Sequence, residues 1–441
     1  MNIKNAGRLA AAAAEYWGIL RSLQRNAKLY LVYTAFNSIG FSIFSLVFNL
    51  YVHSLGFGAD FIGLLNALPS IAVLLLGLPV GMMADRLGYR PFLLAGAVVN
   101  IVSSLGLALS GGREALMAFS FLSGLAGVLS WVIGAPMMMA YSTEKDRVHL
   151  FSINFALMMG AGFLGSLVAG WLPEGYARWA SVGDTSTAAL RAALLAMVAS
   201  NVAAFLPTLF IRDTRRLDDS ERPSGSWLSS LPRERADRKL FLQLLLPQAI
   251  IGFGAGAMVV FFQLFFNLTF HLSTGAIGVL FAFSSVVTAL AAVVAPVLSQ
   301  RWGKVQTVVW TQAASLPFLL ILAFSRNLGL VVAAYYVRSA LMNMSGPVSM
   351  AFSMEKVKPS QRATLTSLQS MLGSLGRGGL GPLASGFLQE QSGFGLAFSL
   401  TFASYLVATV LFGWFFWEDG ASGPRGSGAV RAPGGRRRLL V

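Results

Sequence analysis

Between Leu29 and Trp417 the sequence turns apolar for about twenty residues at a time, and it does so about twelve times. A run of that length with almost no charge matches the roughly 30 Å hydrocarbon core of a bilayer crossed by one helix. No soluble core needs this repetition. Charged residues make up only 12% of the chain, against about a quarter in soluble domains. The spans read as roughly 28–53, 60–84, 91–110, 114–141, 149–172 and 188–211, then 240–270, 274–299, 305–325, 328–353, 362–388 and 394–417. The fold class expected is an all-α integral membrane protein of twelve transmembrane helices.

The breaks divide the chain. Residues 212–239, "RDTRRLDDSERPSGSWLSSLPRERADRK", are too charged to bury and read as a linker between two six-helix halves, 28–211 and 240–417. Residues 1–27 read as an amphipathic segment at the membrane surface, and 418–441 as a disordered basic tail. Lys and Arg fall unevenly on the two sides. The side holding both termini has five before the first span and eight in the linker. It has two in each of loops 2–3, 4–5 and 8–9, three in loop 10–11 and five in the tail. The opposite side has Arg113, Arg178, Arg191 and Arg326 alone. The positive-inside rule then places both termini in the cytoplasm, in a multi-pass cell membrane expected to be bacterial. The net charge of +15 is explained by orientation, and no nucleic-acid partner is expected.

The second half repeats the first. "FIGLLNALPS" (61–70) parallels "AIGVLFAFSS" (276–285), and "GLPVGMMADRLGYR" (77–90) parallels "VAPVLSQRWGKV" (294–305). "GAPMMMAYSTEK" (134–145) parallels "SGPVSMAFSMEK" (345–356), and "GSLVAGWL" (165–172) parallels "GPLASGFL" (381–388). Four matches in one order and near-constant offset define parallel six-helix repeats. Loop 2–3 carries Gly81, Asp85, Arg86, Gly88 and Arg90, with Arg301 and Gly303 in its degenerate copy.

With these features the sequence resembles the major facilitator superfamily over roughly residues 28–417. The resemblance implies a fold of two six-helix repeats that rock about a central site. It also implies a cytoplasmic latch at loop 2–3. There Asp85 is expected to face the N-terminus of the eleventh helix near Gln361, where free N–H groups favour negative charge. Arg86 and Arg90 are expected to pair with carboxylates such as Glu144. Gln300 replaces the acid in the second copy, so a weaker latch is expected there. Helix 5 of related drug/proton antiporters carries a Gly-Pro pair; here Gly165-Ser166 occupies that place and Gly381-Pro382 lies in helix 11 instead.

Two ionisable residues lie deep in the spans. Arg338 is about ten residues in from one end of helix 10, and Arg377 about eleven from the same face on helix 11, each roughly 15 Å deep. A buried guanidinium is costly and marks function by default; two at one depth suit a carboxylate or phosphate. Tyr335, Trp131, Asn37, Asn49, Gln248 and Gln263 are the polar groups expected to complete a substrate cavity. Every acid falls in a tail, a loop or a span end, so no carboxylate relay is expected at the membrane centre; a coupling proton would need another carrier. "GAGFLG" (160–165) matches a dinucleotide fingerprint in letters only, since no strand precedes it. Three His, no Cys and no buried acid leave little for catalysis, so an enzyme is not expected, nor a cofactor or metal. The function expected is a secondary transporter, monomeric among membrane lipids, moving a small organic solute, with the arginines favouring an anion. Efflux of amphipathic drugs or lipids is the alternative within transport. A non-transporting receptor or scaffold is the alternative outside it.

Overall fold

The computed structural model describes residues 23–87, 89–140, 142, 144–212, 234–358 and 361–421. The described residues form helices joined by short loops. The first half contains α1 (Arg25–Ser54), α2 (Ala59–Leu87), α3 (Tyr89–Leu109), α4 (Arg113–Ala140), α5 (Glu144–Ala180) and α6 (Thr187–Leu209). In the second half α7 is Arg235–Met258 and Phe262–Phe270, joined by the 3-10 turn Val259–Phe261. It is followed by α8 (Thr274–Trp302), α9 (Lys304–Phe324) and α10 (Leu328–Lys356). α11 runs Arg362–Ser374, continues through a π-helical turn at Leu375–Leu380 and ends with Gly381–Ser392; α12 is Phe394–Ala421.

Nine of these helices are long and apolar enough among their described residues to cross a membrane. Of the others, α10 and α11 carry the two deep arginines, and several side chains in the last third of α4 lie outside what is described. Two boundaries differ from the sequence reading. α7 starts at Arg235, inside the stretch read as linker, and α5 reaches from Glu144 to Ala180. The N-terminal segment and basic tail fall almost wholly outside the described residues.

Local chemistry sets several helix ends. Ser186, Ser273 and Asn327 each precede a helix and accept a hydrogen bond from the backbone N–H three residues on. Gly303, between α8 and α9, has φ +90° and ψ 157°, a conformation essentially closed to residues with a Cβ. A tight turn is therefore present at the second signature copy.

The halves are built alike. α1 packs on α5 and α6, α2 on α4, and α3 on α4 and α6; α7 packs on α11 and α12, α8 on α10, and α9 on α10 and α12. Each contact in one half has its repeat counterpart in the other. Two seams join the halves, α2 against α11 and α5 against α8, and the repeat relates these too. Each seam is a glycine crossing. A Cβ on Gly63 would come 2.4 Å from the Pro382 carbonyl and 3.2 Å from Gly386 Cα; one on Gly278 would come 2.6 Å from the Ser166 carbonyl and 2.8 Å from Gly170 Cα. Helices in lipid gain association energy from such close backbone approach.

The apolar cores show which end is closed. One cluster spans both halves at the end away from the termini, with Tyr51, Ile62 and Leu194 beside Phe262, Phe266 and Phe398. Toward the terminal end it divides into two, one around Leu31, Leu93 and Leu150 and the other around Phe241, Val305 and Phe416. Among the described residues the halves thus share one core at the distal end and have separate cores toward the end bearing the termini.

Candidate functional site

α7 breaks where it meets α1 of the other half. The 3-10 turn at Val259–Phe261 interrupts the regular helical ladder, and freed carbonyls inside a membrane protein need a protein donor. Val260 finds two: Asn49 Nδ2 at 2.6 Å from α1 and Gln263 Nε2 at 2.8 Å from its own helix. Asn66 of α2 donates to Asn49 Oδ1 at 2.9 Å. Asn49 and Gln263, both expected to line a cavity, are buried here and satisfy the break. Asn37 is half-buried and accepts a 3.4 Å hydrogen bond from Asn100.

Arg338 lies deeper in the second half than its expected role requires. It is 4% exposed. Its guanidinium carbon lies 5.4 Å from the Phe262 ring centre and 5.5 Å from that of Tyr405, and Nη2 donates to Tyr405 Oη at 2.9 Å. Nε has no protein partner. Two aromatic faces and one hydroxyl hold the charge in place of a carboxylate. Tyr335, one turn earlier, is packed edge-on against Phe262 and Phe266 and stacked on Phe281.

Arg377 is placed differently. It is exposed, within the π-helical turn of α11. A Cβ on Gly376 would press on the α7 backbone at Phe253 N, 2.7 Å away, while Gly378 faces Ser70 of α2. Arg377 thus lies between a residue packed on α7 and one packed on α2, helices of opposite halves. Ser367, Ser370 and Ser374 precede it at three- and four-residue spacing along α11. Gln248 is exposed one turn before Gly252, whose face abuts Gly373 and the Arg377 backbone. Among the described residues neither deep arginine forms an ion pair. The structure therefore leaves Arg377 and Gln248 exposed on neighbouring helices and sets Arg338 and Tyr335 apart in the second-half core.

Of the latch residues, the side chains of Asp85, Arg86 and Glu144, together with Gly81 and Gly88, lie outside what is described, as does Trp131 in the cavity set. Arg90 is described, and it donates to the Leu209 carbonyl at 3.4 Å; the side chain of its expected acid partner Glu144 lies outside what is described. Gln361, expected opposite Asp85, donates to Asp237 at 2.7 Å. In the second copy Arg301 is exposed, while Lys304 pairs with Glu355, the repeat mate of Glu144. An acid–base tie at that loop thus joins α9 to α10 within one half.

Two features escaped the sequence reading. Tyr405 is a lone tyrosine within an apolar span, and only its partner reveals its use. The π-helical turn has a visible cue in "GSLGRGGLGP", where five glycines flank a charge and a proline. Such turns occur often at functional sites.

Comparison with known proteins agrees with this architecture. A family model described as Major Facilitator Superfamily matches residues 30–377 and, in a second match, 244–439. Multidrug resistance protein MdtH of Cronobacter sakazakii is 27% identical over 132 residues, 30% of this chain and 33% of that protein. MdtH of Aeromonas hydrophila is 26% identical over 135 residues, 30% of this chain and 34% of its own. The chain thus spans about a third of the length of these curated relatives. Among solved structures, a bacterial homologue of the human lysosomal transporter Spinster, inward-facing and occupied, superposes with TM-score 0.73 at 15% identity, covering 89% of this chain and 96% of the other. The nucleoside transporter NupG superposes with TM-score 0.70 at 15% identity over 89% and 99%. At these identities the structures speak for the fold. With paired six-helix repeats, two glycine seams and a family model over most of its length, the chain belongs to the Major Facilitator Superfamily.

Proposed function

We propose that this protein is a secondary transporter that carries a small organic solute with an anionic group across the cell membrane by alternating access. Arg377 is the residue that first meets the anion. One observation carries this reading: the Arg377 guanidinium, well inside an apolar span, stands exposed on a π-helical turn that packs against both halves, with no carboxylate paired to it among the described residues. An unpaired charge at that depth is costly, and an anionic substrate offsets the cost each time it binds. Gln248, exposed on neighbouring α7, supplies a neutral polar contact, and Arg338 holds the second-half wall against which the site closes.

The test is direct. A thermal-shift screen of the purified protein against carboxylates, phosphates, sugars and drugs identifies a ligand, and calorimetry follows on variants. Arg377→Gln should weaken binding of an anion by about 10- to 150-fold, the loss of a charge-assisted hydrogen bond of roughly 1.5–3 kcal/mol. Arg338→Gln should lower thermal stability more than affinity. A neutral ligand, or unchanged affinity in Arg377→Gln, refutes the assignment.

A second reading is efflux of amphipathic drugs, favoured by the similarity to proteins named multidrug resistance protein MdtH. A cationic or neutral amphiphile emerging from the same screen would select it. Orientation follows from the charge asymmetry: cysteines introduced at Ser181 and Ser224 should label from opposite faces, with Ser224 cytoplasmic. Labelling of both from one face overturns it.

A further inference from the structure

The two seams that join the halves end alike. At the distal end of the α2–α11 seam, Glu390 Oε2 accepts from the N–H of Ala59, the first residue of α2, at 2.8 Å. At the distal end of the α5–α8 seam, Asp184 Oδ2 accepts from the N–H of Thr274, the first residue of α8, at 2.7 Å. The Glu174 carboxylate stands against Gly275, the next residue of α8, so closely that a Cβ there would run into it. Glu174 and Glu390 occupy matching places in the repeat, four residues beyond the seam glycines Gly170 and Gly386. So each seam has an acid from one half on the helix N-terminus of the other.

The chemistry is that of a cap supplied in trans. The first N–H groups of a helix lack intrahelical acceptors and carry the positive end of the macrodipole. α2 is preceded by Gly58, which has no side chain to cap with. Its own first-turn acid, Asp60, bonds the Phe61 N–H and leaves Ala59 to Glu390. α8 has Ser273, which serves Ala276 and leaves Thr274 to Asp184. Each acceptor therefore reaches a donor that its own half leaves open. When the distal end parts, both bonds must break, while the intra-half caps persist.

We propose that Glu390 and the Asp184–Glu174 pair form a charge-dependent lock on the distal end, two repeat-related fasteners that set which way the central site faces. The positioning residues act on the conformational balance alone, since none lies near Arg377. The effect is separable from substrate identity because it needs no ligand.

The native chain has no cysteine, so labels can be placed singly. Gly112→Cys and Arg326→Cys put one spin label on each half at the distal end, and inter-label distances are measured in the full chain in lipid nanodiscs. Glu390→Gln and Asp184→Asn should each raise the distally open population about three-fold, and together about ten-fold, the scale of a charge at a helix N-terminus. Asp60→Asn removes a charge from the same α2 terminus but no bond between the halves, and it relieves repulsion with the nearby Glu390 carboxylate, so it should not raise the open population. Unchanged distances in Glu390→Gln/Asp184→Asn with an unaltered melting temperature overturn the lock. So does an equal shift in Asp60→Asn, which would make the effect one of helix stability. If the double variant lowers the melting temperature, Glu390→Asp serves instead: a side chain one methylene shorter keeps the charge, and under the lock it retains part of the closed population.

Discussion

Placing a methyl group at the seam glycines should push the molecule out of its present conformation. In Gly63→Ala the new Cβ lies 2.4 Å from the Pro382 carbonyl oxygen, with Gly386 Cα at 3.2 Å. Ordinary contact begins near 3.4 Å, so α2 and α11 must separate by about 1 Å. The obstructing atoms are backbone, and no rotamer change relieves them. Overpacking of this kind costs about 1–3 kcal/mol, which corresponds to a roughly 5- to 150-fold shift toward conformations in which the seam is parted. Alanine also favours the helix over glycine by up to about 1 kcal/mol. That gain acts equally in both conformations, because α2 is helical in each, and it cancels from the ratio. Gly278→Ala, against the Ser166 carbonyl at 2.6 Å, should do the same at the other seam, and the two should add because the sites share no partner. The assay is the distal distance distribution from labels at positions 112 and 326. The control is Gly77→Ala on α2, where a Cβ meets nothing within 4 Å and no shift should appear. Equal distributions in Gly63→Ala and the parent, or a shift in Gly77→Ala as large, would refute the crossing as the determinant.

Other expectations follow from the polar contacts. Tyr405→Phe removes the one hydroxyl bonded to Arg338 and leaves a buried guanidinium with aromatic faces alone; thermal unfolding in detergent should show a loss of about 1.5–3 kcal/mol, with ligand affinity little changed. Asn49→Ala withdraws one of two donors from the Val260 carbonyl and leaves Asn66 with its bond to the Ile62 carbonyl, and since the Asn49–Val260 bond joins the halves its loss should open the distal end as well as destabilise, by about 1–3 kcal/mol. Glu355→Gln, which breaks the pair with Lys304, involves two partly exposed groups and should change stability by less than about 1 kcal/mol and the distances not at all.

The number of helices and the internal repeat were legible because each rests on hydropathy or on letters matched in register. The seams were half legible. "FIGLLNALPS" with its copy and "GSLVAGWL" with its copy placed Gly63, Gly278, Gly170 and Gly386 at equivalent points, yet nothing in the letters says that α2 meets α11 and α5 meets α8. That pairing belongs to the arrangement of the halves. The site was legible as residue types and less so as directions. Asn49 and Gln263 look like ligands because polar groups in an apolar span need partners. A break in α7 supplies one, and the break itself has no proline or charge to announce it. Arg338 and Arg377 have nearly the same depth and the same chemistry. What separates them is the helical phase: Arg338 turns toward Phe262 and Tyr405, and the extra residue of the π-helical turn aims Arg377 elsewhere.

That extra residue ties the two seams to the site. A π-helical turn fits one more residue into its span than an α-helix would, which rotates everything before it by about 100° relative to everything after. Beyond the turn, α11 must present Pro382 and Gly386 to α2 and Ser385 to the Ala257 carbonyl of α7, contacts that hold the distal end shut. Before the turn, the serine row leading to Arg377 follows a separate phase. A regular helix would couple the two demands, so the face that packs the seam would dictate where the charge points. With the turn, the seam half of α11 keeps its glycine crossing while the other half directs Arg377 to the exposed side of the turn. The sequence "GRGG" suits the junction physically: Gly376 and Gly378 let α7 and α2 approach on either side, and the one long side chain between them has only the open direction left.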